Sequence, residues 1–315
     1  MKLKNIWPLL KQTFVEWDED KAPRLAAALS YYTAFSLAPL LVIAIAVAGF
    51  FFGEEAARGE IVGQIQGLIG RQAAFAVQEL IENTDKLGQS VTAIVIGGIT
   101  LLIGATGVFG QLQDALNTIW EVKPKPGRFI LNIIKDRFFS FTMVLGTSFL
   151  LLVSLVVSAA LAALDRFFSS LLPGADIIWQ VLNIILSFGV ITLLFAVIFK
   201  IVPDVKIKWR DVWPGAAGTA LLFNLGKLFI GLYLGNNGIG SAFGAAGSLA
   251  IILIWVYYSA QILFLGAEFT QVYTRKYGSR RVVAAENAMP LTEQARAQEG
   301  MPHAKKVKAL AQKTA

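Results

Sequence analysis

The chain has 315 residues, of which 56% are hydrophobic and only 16% charged, with a formal net charge of +7 and a mean hydropathy of +0.61. A soluble domain carries about 25% charged residues, so this composition excludes an ordinary water-soluble enzyme and indicates an integral membrane protein. There is no cysteine, and the single histidine, His303, lies in a polar tail; disulfides, thiolate metal sites and histidine clusters are thereby excluded.

The first twenty residues place Leu3, Ile6, Trp7, Leu10, Phe14 and Trp17 at three- and four-residue steps, with Lys4 and Lys11 between them. On a helix this is one apolar face beside a charged one, suited to the membrane interface or to packing on the protein's own membrane domain. Residues 1–24 are therefore assigned to an N-terminal amphipathic interfacial helix. No signal peptide is expected, because the first apolar run is too long and starts too late.

Six apolar stretches follow, near 29–52, 91–118, 138–164, 177–201, 212–234 and 243–271. Each reaches the ~20 residues that cross ~30 Å of hydrocarbon as a helix. The expected fold is all-α, with a six-helix transmembrane domain over 25–277 and a polar cytoplasmic tail over 278–315.

The basic residues set the orientation. Lys2, Lys4, Lys11, Lys21 and Arg24 precede the first stretch; Lys123, Lys125, Arg128, Lys135 and Arg137 fall in the second connection. Lys200, Lys206, Lys208 and Arg210 mark the fourth, and Arg275, Lys276, Arg280 and Arg281 follow the last stretch. The alternate connections hold only Arg58, Arg71, Lys86 and Arg166. Eighteen against four places both termini in the cytoplasm.

The outer connection over 53–90 carries Ile61, Ile65, Leu68, Ile69, Phe75, Val77, Leu80 and Ile81 among nine charged residues. It cannot span, and is expected to form amphipathic helices that lie on the outer interface or cap a cavity between the spans.

Lys227, in Asn224-Leu225-Gly226-Lys227-Leu228, falls within the fifth stretch, about 9 Å below Tyr233 by helical rise. A lysine at that depth either snorkels to the surface or faces a cavity, where with Asn224 it would contact an anionic lipid head group. Asp114 and Glu268 lie near the cytoplasmic ends of the second and sixth stretches, at a depth similar to Arg24, Arg137 and Arg210. Ion pairs that hold the helices in register are expected there, with a proton or substrate relay as the alternative. Lys227 and Glu268 lie toward opposite faces and should not pair. Asn117, Asn132, Asn183, Asn224 and Gln261 suit interhelical hydrogen bonds. Pro39 is expected to kink the first span, and Gly231, Gly235, Gly240 and Gly244 to permit close helix crossing.

Several segments together resemble a known family. They are Ala26-Ala27-Ala28-Leu29-Ser30-Tyr31-Tyr32-Thr33-Ala34-Phe35-Ser36-Leu37-Ala38-Pro39-Leu40, Leu116-Asn117-Thr118-Ile119-Trp120, and Val212-Trp213-Pro214-Gly215-Ala216. The last is the stretch from Tyr233 to Glu268, with Gly-Ser ahead of Trp255-Val256-Tyr257-Tyr258-Ser259 and Gly266-Ala267-Glu268 at its end. Over residues 10–280 the chain is similar to the YihY/BrkB family of bacterial inner-membrane proteins.

The resemblance implies six spans in the bacterial cytoplasmic membrane and an association with virulence and with envelope lipid or lipopolysaccharide export. A ribonuclease label once attached to the family finds no support here, since metal-dependent RNA hydrolysis needs ligand clusters. The expected function is non-enzymatic transport or handling of an anionic envelope lipid, with no cofactor and no nucleic acid. The alternative is a structural or regulatory partner of envelope machinery, alone, as a homo-oligomer or with an envelope protein.

Overall fold

A computed structural model describes residues 6–69, 74–75, 77–78, 81, 107–125, 176–236, 245–278, 283–285 and 287–301. Its main elements are long helices: α1 (Ile6–Glu19), α2 (Ala22–Phe52), α3 (Glu54–Ile69), α4 (residues 107–119), α5 (Asp176–Ile201), α6 (Trp209–Asn236), α7 (Ala245–Lys276) and a short α8 (Glu293–Gln298). Helix α2 has 31 residues and so a length of about 46 Å. It carries no charge from Leu25 to its end.

Two segments, Ile184–Ile201 of α5 and Leu249–Lys276 of α7, are long and apolar enough to cross a membrane by length and composition. The outward side chains agree with a membrane setting. Phe35, Ile184, Ile185, Leu221, Leu225 and Phe229 are all exposed, an arrangement that water would penalise heavily.

The helices pack around α7, which touches α1, α2 and α6, while α5 packs on α6. One core joins Leu25, Leu29, Leu116, Ile119, Phe195, Phe199, Val212, Ala216, Ala220 and Phe264. A second, of Leu41, Ile45, Ile251 and Ile252, is covered by Val77 and Ile81, with Ile61 and Val62 alongside. The described part of the connection after α2 therefore packs on the ends of α2 and α7. Its entry is a tight turn at Gly53, whose φ of 87° suits glycine and whose N–H donates to the carbonyl of Gly49 at 2.9 Å.

Helices α6 and α7 cross closely. A Cβ added to Gly215 would lie 1.8 Å from Thr270 Oγ1, and one on Gly266 would lie 1.8 Å from Thr219 Oγ1. Each threonine hydroxyl bonds back into its own helix, Thr219 to Gly215 O and Thr270 to Gly266 O, both at 2.7 Å. The two Gly-x-x-x-Thr patterns thus interlock, each threonine seated over the other helix's glycine.

Two expectations need correction. The chain is not wholly α-helical: strands β1 (Val122–Pro124) and β4 (Ala288–Pro290) pair antiparallel, as do β2 (Val205–Lys206) and β3 (Val283–Ala284). Strands of two or three residues have no periodicity that a sequence pattern could reveal. Nor is the whole of 278–315 a solvated tail, since residues 283–285 and 287–301 fold back onto the helices and bury Leu291, Arg296 and Met301. The N-terminal boundary also moves, because α2 starts at Ala22, with proline tolerated in its first turn.

Candidate functional site

One end of the bundle collects polar groups from segments far apart in sequence. Asp204, in the turn after α5, is at its centre. Its Oδ2 accepts from Asn117 Nδ2 at 2.9 Å and Gln113 Nε2 at 3.3 Å, and its Oδ1 from Asn287 Nδ2 at 2.8 Å. Its own N–H donates to Asn117 Oδ1 at 2.8 Å, and its carbonyl accepts from the Ala285 N–H at 2.8 Å. Three amides from α4 and the C-terminal segment satisfy one carboxylate, so the network ties both to the turn between α5 and α6.

Beside it lies a cluster of charges. Asp20, in the turn between α1 and α2, is buried and paired with the equally buried Arg296 of α8. The Arg296 Nε also donates to the carbonyl of Met301 at 3.1 Å, which closes the C-terminal loop. Burial pushes the Asp20 carboxyl up to about 6, against the pull of the Arg296 guanidinium. Glu121, after α4, pairs with Arg275 at 2.9 Å, and Gln271 donates to the carbonyl of Ile119.

Backbone strain marks the same place. Lys21 and Glu121 are the two non-glycine residues with positive φ among those described, at 52° and 54°. Such conformations persist where surrounding contacts over-determine them. Here they turn Asp20 inward and present the Glu121 carbonyl to the Leu291 N–H at 2.7 Å.

Glu268 is fully buried on α7, where no amide, hydroxyl or cationic group donates to its carboxylate and the Asp20 carboxyl is its hydrogen-bonding neighbour. The charges that bear on it are Asp20 and Glu16, with Arg275 as the opposing cation. The expected pairing of Glu268 and Asp114 with Arg24 or Arg210 is not formed. Asp114 is on the exposed side of α4, Arg24 makes no ion pair among the described residues, and Arg210 is exposed with its Nε 4.0 Å from Asp211. The arginine that enters the buried cluster comes instead from the C-terminal segment, where burial beside Asp20 compensates its charge.

Lys227 belongs to the other half of α6. It follows Ala216, Ala220 and Phe223 at steps of four, three and four residues, so it shares their inward face rather than that of Leu221, Leu225 and Phe229. One turn nearer the polar end, Phe223 stacks edgewise on Phe195 at 5.8 Å and on Trp255 at 6.0 Å. Lys227 itself is half-buried and has no ion-pair partner among the described residues. Asn224 turns back and donates to the carbonyl of Ala220 at 2.8 Å.

The separation of Lys227 from Glu268 is as expected. Gly226 packs against Tyr258, which is ten residues, or about 15 Å of helix, from Glu268. Pro39 lies within α2 and Gly231 and Gly235 within α6 by backbone placement; Arg137, Gly240 and Gly244 lie outside the described residues, as does the expected third span. Among the described residues, no three acidic or histidine side chains could hold a metal ion.

Sequence reasoning missed Asp20, Asp204, Gln271 and Arg296, which no local motif marks. It also missed the Gly215/Thr219 and Gly266/Thr270 crossing, although Gly-x-x-x-Thr spacing is visible in the sequence.

The chain is similar to several bacterial membrane proteins. It is 27% identical over 261 residues to a UPF0761 membrane protein of Psychrobacter sp., covering 81% of this chain and 46% of that one. A UPF0761 membrane protein of Vibrio parahaemolyticus is 28% identical, with 85% and 84% covered, and one of Alteromonas mediterranea is 26% identical, with 91% and 96% covered. The chain thus spans about half the length of the Psychrobacter relative and nearly all of the Alteromonas one. No solved structure matches it. The profile of one family, described as Virulence factor BrkB, matches residues 13–290, and this helical membrane protein belongs to that family.

Proposed function

We propose that the protein handles an anionic envelope lipid within the bacterial cytoplasmic membrane, by a non-enzymatic route, with Lys227 as the cationic contact. The observation that carries this reading is the inward placement of Lys227, one turn beyond the Phe195–Phe223–Trp255 aromatic group and with no ion-pair partner among the described residues. A cation at that depth is stabilised by an anion or by water. A phosphate-bearing lipid supplies the anion, and its acyl chain suits the apolar surface beside it.

At the polar end the Asp204 network and the Asp20–Arg296 pair tie the described segments to one another. Access to Lys227 on this reading is from the lipid phase or the opposite side.

Native mass spectrometry of the detergent-purified protein tests the proposal. The wild type should retain an acidic lipid in preference to a zwitterionic one, and Lys227→Leu should lose that preference at least tenfold. Equal retention by both proteins would refute it. A second reading, a structural partner of envelope machinery, draws on α1, where Trp7 and Phe14 are exposed while Leu9 and Thr13 are buried on the opposite face. Co-purification of a stoichiometric envelope protein, lost on Trp7→Ala/Phe14→Ala, would favour that role.

A further inference from the structure

The turn between α5 and α6 presents an excess of positive charge on its outer surface. Between residues 200 and 213 the acidic side chains are Asp204 and Asp211. Asp204 accepts from the amides of Gln113, Asn117 and Asn287, and the Asp211 side chain is 2% exposed. Lys200 donates to the carbonyl of Ile207. Lys206, Lys208 and Arg210 are exposed, Arg210 to 83%, so the surface they make is cationic.

Two aromatic rings stand beside these cations. Trp209 and Trp213, on the first turns of α6, are 44% and 43% exposed. Trp213 lies four residues from Trp209 and three from Arg210, so the three side chains are neighbours on one helix surface. Leu221 follows Trp213 by two further steps of four, through Ala217. Beyond it Leu222, Leu225 and Phe229 are exposed as well. From Arg210 to Phe229 the helix rises about 28 Å, close to the ~30 Å of a hydrocarbon core. With the leucines in lipid, Lys208 and Arg210 reach the head groups and the indoles lie between, where such rings are enriched. Helix α7 ends in the same way at the same level. Its neighbour Gly278 packs against Asp211, and there Lys276 sits over the Tyr277 ring at 5.4 Å.

We propose that Lys208, Trp209, Arg210 and Trp213 form a binding site for a phospholipid with a net negative head group, in the leaflet at the polar end of the bundle. Charge alone would suit any polyanion, but a purely charged ligand leaves the adjoining tryptophan and leucine surface without a partner. An amphiphile satisfies both. Its phosphate accepts from the Arg210 guanidinium, whose planar fork fits two phosphate oxygens, and from the Lys208 ammonium. Its acyl chain runs past Trp213 along Leu221. The site lies about 26 Å of helix from Lys227 and stands whether or not Lys227 binds a lipid of its own.

The two indoles supply the probe. The purified full-length protein is placed in phosphatidylcholine bilayers that contain a minor share of lipid brominated on its acyl chains, either phosphatidylglycerol or phosphatidylcholine. The emission that differs between wild type and Trp209→Phe/Trp213→Phe comes from these rings, and its quenching by bromine reads the lipid beside them and not lipid at Lys227. At equal mole fraction the anionic lipid should quench this emission about fivefold more strongly than the zwitterionic one, and Lys208→Gln/Arg210→Gln should abolish the preference. Equal quenching by the two lipids in the wild type overturns the proposal without any variant, and so does a preference that survives Lys208→Gln/Arg210→Gln. Where that double variant does not fold, Arg210→Gln alone serves, and should lose most of the preference.

Discussion

Replacing Gly215 by alanine places a methyl group 1.8 Å from Thr270 Oγ1, 2.9 Å from Thr270 Cβ and 3.3 Å from the Gly266 carbonyl. Ordinary carbon–oxygen contact begins at about 3.3–3.5 Å, so the crossing has to open by roughly 1.5 Å, or Thr270 has to rotate away. Rotation gives up the buried bond from Thr270 Oγ1 to Gly266 O, worth about 1 kcal/mol. Opening the helices costs about 1–3 kcal/mol, as overpacking does elsewhere. At about 2–4 °C per kcal/mol for a chain of this size class, Gly215→Ala should lower the Tm in detergent, followed by tryptophan fluorescence, by several degrees. The cognate second change, Thr270→Gly, removes the obstructing atoms and should be coupled favourably to the first in a double-mutant cycle, by about 1 kcal/mol or more. The non-cognate change Thr219→Gly should show no such coupling, because Thr219 faces Gly266 instead. A Tm for Gly215→Ala within 1 °C of wild type (roughly the expected effect of a neutral change), or equal coupling to both threonines, would refute the interlocked crossing.

Three further outcomes follow from the polar end. Asp20 binds its proton more tightly folded than unfolded, since burial raises it from 3.8 to about 6; its contribution is fully present below about pH 4 and is lost as the pH rises through about 6. Thermal melts across that window should show the decline in wild type and not in Asp20→Asn, while Arg296→Met, which strands the buried carboxylate at neutral pH, should cost about 3–5 kcal/mol. Asp204→Ala leaves the amides of Gln113, Asn117 and Asn287 without their acceptor and should release the C-terminal segment. Limited trypsin digestion would then cleave at Arg280 or Arg281 many times faster than in wild type, and an unchanged cleavage rate would contradict the role given to Asp204.

The apolar half of this fold is legible in the sequence, and the polar half is not. Stretches expected at 177–201, 212–234 and 243–271 correspond to helices Asp176–Ile201, Trp209–Asn236 and Ala245–Lys276. The last helix outruns its apolar stretch by five residues for a physical reason. Hydropathy reports where lipid surrounds a helix, whereas α7 continues through Gln271 and Thr274, whose side chains are buried by protein. Lys227 is conspicuous in sequence because a charge interrupts an apolar run, but its direction required the stripe of Ala216, Ala220 and Phe223 to be seen against the core. The Asp20–Arg296 pair joins residues 276 positions apart, and no spacing rule connects them.

Counting lysines and arginines treats all of them as one population, meeting water or lipid head groups. Beyond the residues counted, the structure shows a second kind. Arg210, with its side chain 83% exposed, behaves as the count assumes, whereas Arg296, at 1%, belongs to the interior. A buried guanidinium requires a carboxylate, and Asp20 supplies it from the turn that begins the first long helix. The order of residues 283–301 is therefore a consequence of charge compensation rather than of local propensity: β3 and β4 are only two and three residues long and α8 only six, too short to persist alone.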